Sequence, residues 1–250
     1  MKSIVVANWK MFPATLREAK QLFEAVRKSA ENAKGVSVVV APPVIFLRDI
    51  VKLYKGRRIA FAMQDAHPEA GGAFTGEVSI VQGKDAKASY LIVAHAERRA
   101  MGETNDDARR KVAAALDNRV TPILCIGETS RDVSGEHFNL IKEQLRIALT
   151  DVPSAKVSQV IIAYEPVWAI GATRAMEPRD MHEMAIFIRK SIVETHGKDG
   201  MNMRVLYGGS IDETNAIGML RDGDVGGFLV GRVSIEAEKF ALLVHSLSEA

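Results

Sequence analysis

Eight times along its length this chain sets a short apolar run of strand length ahead of a stretch with helical periodicity, and that alternation admits few folds. The runs are residues 4–7, 36–41, 59–63, 91–93, 122–126, 160–164, 204–207 and 227–230. They are almost continuously apolar and rich in β-branched residues, which suits strands buried on both faces of a parallel sheet. Eight β-α repeats in 250 residues predict a closed (β/α)8 barrel. The competitor is a doubly wound open sheet, but no G-x-G-x-x-G follows the first run, so that fold's usual cofactor fingerprint is missing. No linker, low-complexity tract or charge block marks a boundary, so residues 1–250 read as one domain.

The helical stretches are amphipathic. The first opens on Thr15 with Glu18 three residues later, a capping box, and continues with Ala19, Leu22, Phe23 and Val26 on one face. Others carry Val44, Leu47 and Val51; Ala108, Val112, Ala115 and Leu116; and Phe138, Ile141 and Leu145. A further helix starts at Pro178, a favoured first helical residue, and turns Met181, Met184, Ile188 and Ile192 inward. Ile217 with Leu220, and Phe240 with Val244 and Leu247, mark the last two. Residues 83–89, before the fourth run, are too few to read as a helix.

A net charge of +2 gives no reason to expect nucleic-acid or anionic membrane partners. No apolar run reaches the ~18–20 residues that span a bilayer, and no cleavable signal opens the chain. The one cysteine, Cys125, lies within an apolar run. It reads as a buried core thiol in a protein of the reducing cytoplasm.

Chemistry in such a barrel collects at the C-terminal ends of the strands. The first run ends in Asn8-Trp9-Lys10, the fourth in His95 followed by Glu97-Arg98-Arg99, and the fifth in Cys125-Ile126-Gly127-Glu128. Glu165 ends the sixth and is followed by Pro166, which biases the carboxylate's backbone towards extended geometry. Val-Trp-Ala-Ile then occupies what should be a polar loop, either as a lid over the mouth or as an ordinary connection whose Trp168 packs on the core. Tyr207-Gly208-Gly209-Ser210 and Gly231-Arg232 close the seventh and eighth, where glycine-rich turns bring backbone N–H groups close to an anion. Glu97 and the arginines behind it are expected to join an ion-pair network as well. With no metal-ligand spacing, no nucleophile elbow and no Ser-His-Asp set, acid–base chemistry on a small phosphorylated molecule remains, with no metal and no cofactor.

These motifs resemble the triosephosphate isomerase family over the whole chain and in order. The matching stretches include Asn8-Trp9-Lys10-Met11, Gln64, Ala73-Phe74-Thr75-Gly76-Glu77 and His95 with Glu97-Arg98-Arg99. Cys125-Ile126-Gly127-Glu128-Thr129, Ala163-Tyr164-Glu165-Pro166-Val167-Trp168-Ala169-Ile170-Gly171, Tyr207-Gly208-Gly209-Ser210 and Leu229-Val230-Gly231 also match. The resemblance implies interconversion of dihydroxyacetone phosphate and D-glyceraldehyde 3-phosphate. The alternatives are isomerisation of a tetrulose phosphate or a phosphate-binding barrel with weakened catalysis. Triosephosphate isomerases are themselves the standard case of a carboxylate base beside a neutral imidazole under a water-excluding loop. Glu165 would then be the base, His95 the electrophile, and Asn8 and Lys10 the stabilisers of enediolate and phosphate, with Glu97 beside them. Gly171, Ser210, Gly231 and Arg232 would complete the phosphate site. Val167, Trp168, Ala169, Ile170, Gly171, Thr173, Arg174 and Met176 would belong to the lid, its two ends received by Glu128 and Tyr207. The resemblance also implies a homodimer, with Gln64, Thr75, Glu77 and Arg98 at the interface and Glu77 pairing with Arg98 across it.

The chain departs from the family's usual pattern in several places. Ala94-His95-Ala96 replaces Gly-His-Ser, so a hydroxyl that steadies the retracted glutamate is lost. The turn between Arg99 and Gly102 is one residue shorter, and Phe12 stands where an asparagine is usual. Thr173-Arg174-Ala175-Met176 replaces Gly-Lys-Thr-Ala, stiffening the far hinge. Arg232 replaces a second glycine, either keeping only its N–H at the phosphate or adding a guanidinium there or against a longer sugar phosphate.

Overall fold

A computed structural model describes residues 2–131, 134–169 and 176–249. Eight parallel strands close into a barrel in sequence order: β1 (Ser3–Asn8), β2 (Val36–Ala41), β3 (Ile59–Met63), β4 (Tyr90–Val93), β5 (Thr121–Ile126), β6 (Ile161–Tyr164), β7 (Arg204–Tyr207) and β8 (Gly227–Val230). Pairing of β1 with β8, Val6 opposite Leu229, completes the ring. Each observed strand lies within one residue of its expected position at either end.

The helices are α1 (Leu16–Asn32), α2 (Val44–Lys52), α3 (Ile80–Asp85), α4 (Ala96–Ala100), α5 (Asn105–Asp117), α6 (Glu136–Ala148), α7 (Ser154–Val157), α8 (Pro178–His196), α9 (Ala216–Asp222) and α10 (Ala237–Glu249). The Thr15–Glu18 capping box forms as expected and starts α1, which buries Ala19, Phe23, Val26 and Ala30. A second box, Ser79 with Gln82, nucleates the six-residue α3, which runs into the segment 83–89 read as too short for a helix and makes its first three residues helical. The cap supplies partners for donors that so short a helix would otherwise leave open. In α9 Ala216 and Met219 are buried and Leu220 packs against the core as expected, while Ile217 is exposed.

Alternation along the strands divides the core in two. Ile4, Val6, Val39, Ile92, Ile123, Cys125 and Leu206 fill the barrel interior. Val5, Ala7, Val38, Leu91, Leu124 and Val205 face outward and pack with Phe23, Ile50, Val112, Ile141, Ile188 and Phe240 of the helices. Full burial of each large apolar side chain contributes roughly 1.5–3 kcal/mol. The rigid ring fixes the strand ends, and with them the side chains at one mouth. Among the described residues no helix is long and apolar enough to cross a membrane.

Candidate active site at the C-terminal mouth

Asn8 ends β1 and turns its side chain back on the chain, its Oδ1 accepting the Lys10 N–H at 3.0 Å. Lys10 has φ 53, in the left-handed region that a side chain seldom occupies. Gln64 holds it there by donating Nε2 to the carbonyls of Lys10 and Ala41, both at 2.8 Å. Gln64, expected at a subunit interface, therefore also serves this mouth from within its own chain. The bend carries Lys10 Nζ to within 2.6 Å of Glu97 Oε1. Its stem passes Gly231, where a Cβ would lie 3.2 Å from Lys10 Cε.

His95 caps α4 at the end of β4 and is 7% exposed. The preceding Ala94 has φ 56, and its N–H donates to Glu103 Oε1 at 3.1 Å. The imidazole Nδ1 accepts the Glu97 N–H at 3.2 Å, and Nε2 faces Glu165 Oε1 at 3.0 Å. An acceptor at Nδ1 places the ring proton on Nε2, so the neutral ring aims an N–H at the carboxylate. Burial pulls the imidazole pKa down, but the Glu165 carboxylate, its hydrogen bond and then Glu97 outweigh it, leaving the pKa above the ordinary value. That rise depends on Glu165 remaining alongside.

Glu165 is 2% exposed and is held in a retracted pose. Its N–H donates to the Ile126 carbonyl at 2.8 Å, and its Oε2 accepts the Ala96 N–H at 2.9 Å. A backbone donor of α4 thus holds the carboxylate although Ala96 has no hydroxyl to offer. Two glycines make room for it. A Cβ on Gly127 would lie 1.8 Å from the Glu165 carbonyl oxygen, and one on Gly208 would lie 2.8 Å from Glu165 Cγ. The Cys125 thiol is fully buried beside it, and burial followed by the Glu165 charge pushes its pKa well up, so the thiol stays protonated and inert.

Asn8, Lys10, His95, Glu165, Ser210, Gly231 and Arg232 line one cavity of about 520 Å³. The Arg232 side chain is exposed at its wall and has no ion-pair partner among the described residues. Glu97 is not part of the wall and bears on the site through Lys10 and His95. Among the described residues no group of three or more His, Cys, Asp or Glu side chains is arranged to hold a metal ion.

The two described ends of the expected lid are anchored. Val167–Ala169 form a 3-10 turn, and the Trp168 indole donates to Glu128 Oε1 at 2.8 Å. The same oxygen accepts the Tyr164 hydroxyl at 2.7 Å and Arg131 Nε at 3.3 Å. Arg131 also lies over the Trp168 ring, 5.5 Å from its centroid. Burial, and then the Glu128 charge, raise the Tyr164 pKa, so the phenol acts as a neutral donor. At the far end the Met176 N–H donates to the Tyr207 hydroxyl at 3.2 Å. Ile170, Gly171, Thr173 and Arg174 lie outside the described residues.

The expected ion-pair network forms in part, Glu97 pairing with Lys10 and Arg98 entering a charged cluster behind His95 whose other members the sequence did not disclose. Lys111 Nζ bridges Asp65 at 2.5 Å and Glu103 at 3.2 Å, and Arg98 bridges the same two carboxylates at 2.9 and 3.1 Å. Burial raises the Asp65 pKa, opposed chiefly by Lys111. Arg98, expected to pair across an interface, is thus engaged inside its own chain, where Glu77 adds to the field around it. Thr75 and Glu77 lie on the connection between β3 and α3.

A family model described as triosephosphate isomerase matches residues 3–247. A triosephosphate isomerase of Endomicrobium trichonymphae is 37% identical over 97% of this chain and 98% of its own length. That of Caldanaerobacter subterraneus subsp. tengcongensis is 38% identical over 98% of this chain and 99% of its own. The Aquifex aeolicus enzyme is 36% identical over 98% of this chain and the whole of its own length.

Proposed function

The chain belongs to the triosephosphate isomerase family and interconverts dihydroxyacetone phosphate and D-glyceraldehyde 3-phosphate, and we propose that it does so through a cis-enediolate made and unmade by Glu165. The relatives lend nothing to a tetrulose-phosphate or binding-only alternative. One observation carries the mechanism: the Glu165 carboxylate and the His95 Nε2–H face each other at 3.0 Å in the wall of a cavity that also presents Lys10.

Substrate entry draws Glu165 away from Ala96 and His95. Its carboxylate then takes the proton from the carbon beside the substrate carbonyl, and the electron pair forms the carbon–carbon double bond of the enediolate. The carbonyl oxygen gains negative charge, and the His95 Nε2–H that had held the carboxylate turns to that oxygen. With Glu165 gone from its side, the imidazole loses most of what raised its pKa and works from its neutral form, giving the Nε2 proton to the former carbonyl oxygen and taking the hydroxyl proton from the neighbouring oxygen. Lys10 and Asn8 supply preorganised positive charge and a polar support, which matter most where water is excluded. Glu165, whose new carboxyl proton exchanges with solvent during the intermediate's lifetime, delivers a proton to the neighbouring carbon and completes the aldose–ketose exchange with no external electron carrier. Glu97 keeps Lys10 in place.

Ser210, Gly231 and Gly171 supply the phosphate site, and the unpaired Arg232 guanidinium adds a contact to it. Residues 167–176 close over that phosphate, with the Trp168–Glu128 and Met176–Tyr207 bonds as their latches. The protein works as one domain, in the cytoplasm, as a homodimer built around Gln64, Thr75, Glu77 and Arg98. Exposed Met11, Phe12, Phe74 and Met101 on the loops of this mouth favour such a contact. An assay coupled to oxidation of glyceraldehyde 3-phosphate, or to reduction of dihydroxyacetone phosphate to glycerol 3-phosphate, tests the proposal. Glu165→Asp retracts the carboxylate by ~1 Å and should lower kcat roughly 100-fold. An inactive wild type, or full activity in Glu165→Asp, would refute it.

A further inference from the structure

Arg99 stands where the two elements that frame Glu165 meet. It lies three residues after Ala96 on α4, so one helical turn carries both the N–H that binds Glu165 Oε2 and the guanidinium. Its own N–H closes that turn on the His95 carbonyl at 3.0 Å. Across the gap, Nη2 donates to the carbonyl of Cys125 at 3.1 Å and Nη1 to Asn105 Oδ1 at 2.6 Å. Cys125 precedes Ile126, whose carbonyl accepts the Glu165 N–H. The guanidinium therefore ties α4 to β5, the two walls of the pocket that holds the retracted carboxylate.

The rest of Arg99 is incomplete as a purely structural feature. Its Nε is buried without a hydrogen-bond partner, and it forms no ion pair among the described residues. A half-buried cation with one N–H left unpartnered is unfavourable unless a negative charge nearby offsets it. Burial lowers its pKa, while Cys125, Glu103 and Glu165 act in the opposite sense. Of these, the Cys125 thiol is protonated and Glu103 is bound by Arg98 and Lys111. The other charged groups around Glu165 are His95 from the end of β4, Glu97 from α4 and Lys10 from the loop after β1, and the last two are paired with each other.

We infer that Arg99 is a positioning residue for the catalytic base: by tying α4 to β5 it holds the two walls of the Glu165 pocket together, so that the carboxylate starts each turnover from one fixed place. The inference rests on the reading of Glu165 as the base. Loosening the tie should misplace the carboxylate relative to the reacting carbon, which lowers kcat and leaves KM nearly unchanged.

The test is kcat and KM, measured separately on folded protein, in wild type, Arg99→Gln, Arg99→Lys, Asn105→Ala and Glu165→Gln. Arg99→Gln should lower kcat roughly 10–100-fold with KM within about 2-fold of wild type. Arg99→Lys should recover only part of that loss, because one ammonium cannot span the Cys125 carbonyl and Asn105 as the planar fork does. Asn105→Ala frees one prong and should lower kcat less, in the same direction; it carries the test if Arg99→Gln does not fold. An unchanged kcat in Arg99→Gln, or in Asn105→Ala where that variant stands in for it, or a loss seen in KM alone, overturns the proposal. If Glu165→Gln at the same time loses activity, the base assignment survives that failure. Wild-type rates in Glu165→Gln would overturn the assignment and the proposal together.

Discussion

Replacing Lys111 with methionine tests whether the charged cluster behind His95 supports the site. Lys111 has a side chain only 8% exposed and neutralises Asp65 and Glu103, themselves 22% and 3% exposed. Methionine fills much of the same volume but leaves two carboxylates facing each other across the vacated position. Breaking a buried pair by removing one partner destabilises by ~3–5 kcal/mol. Arg98 still bridges both acids, so the lower end, about 3 kcal/mol, is the expectation for Lys111→Met. For a chain of this size that is a fall in Tm of roughly 6–12 °C, to be measured by calorimetry at one fixed protein concentration. The deficit should also depend on pH. The folded pKa of Asp65 already lies above its ordinary value, so its ionised form opposes folding and its contribution worsens as pH rises through that pKa. Loss of Lys111 raises the folded pKa further. The gap between variant and wild type should therefore narrow as pH falls from neutral towards the ordinary carboxylate range, where Asp65 takes up a proton. A deficit under ~1 kcal/mol, or one that does not change with pH, would refute this account of the cluster.

Three further outcomes follow from individual contacts. Trp168→Phe keeps the ring over which Arg131 lies but removes the 2.8 Å bond to Glu128; KM should rise about 5-fold, and an unchanged KM would contradict a latch at that end. Ala96→Ser adds a hydroxyl where the backbone N–H already holds Glu165, so steady-state rates should change less than ~10-fold; a change of several orders of magnitude would show that the N–H does not suffice. Arg119 follows α5 at φ 57, exposed and without a side-chain partner among the described residues, so Arg119→Gly should stabilise the fold by ~0.5–1 kcal/mol in denaturant melts, and a loss would contradict the strain.

The barrel was legible because strands buried on both faces must be apolar throughout, and an eightfold repeat of that pattern leaves a closed ring as the economical solution. Thr15 and Glu18 disclosed the start of α1 because a capping box is local chemistry, written in four consecutive residues. Ile217 was misplaced because two apolar residues in a seven-residue helix do not fix which face is buried. Asn8, Lys10, His95 and Glu165 could be selected as strand-end residues, and the structure gathers all four on one cavity. Their supports were not legible. Glu103 meets Ala94 nine residues away, Lys111 meets Asp65 across 46 positions, and Gln64 meets Lys10 across 54. No spacing rule encodes such contacts, because they exist only once the ring has closed. The left-handed backbone at Ala94 was hidden in the residue itself, since alanine gives no sign of positive φ; only the glycine usual at that place in the family pointed to it.

Solvent isotope incorporation shows whether isomerisation runs through proton abstraction by Glu165. Wild-type protein turning over dihydroxyacetone phosphate in deuterium oxide should place solvent deuterium on the carbon beside the carbonyl, read by proton NMR or mass spectrometry of product and recovered substrate. Glu165→Gln, folded to the same Tm, should give neither turnover nor exchange above background. Isomerisation without any deuterium in the product, or exchange that continues at the wild-type rate in Glu165→Gln, would contradict the mechanism.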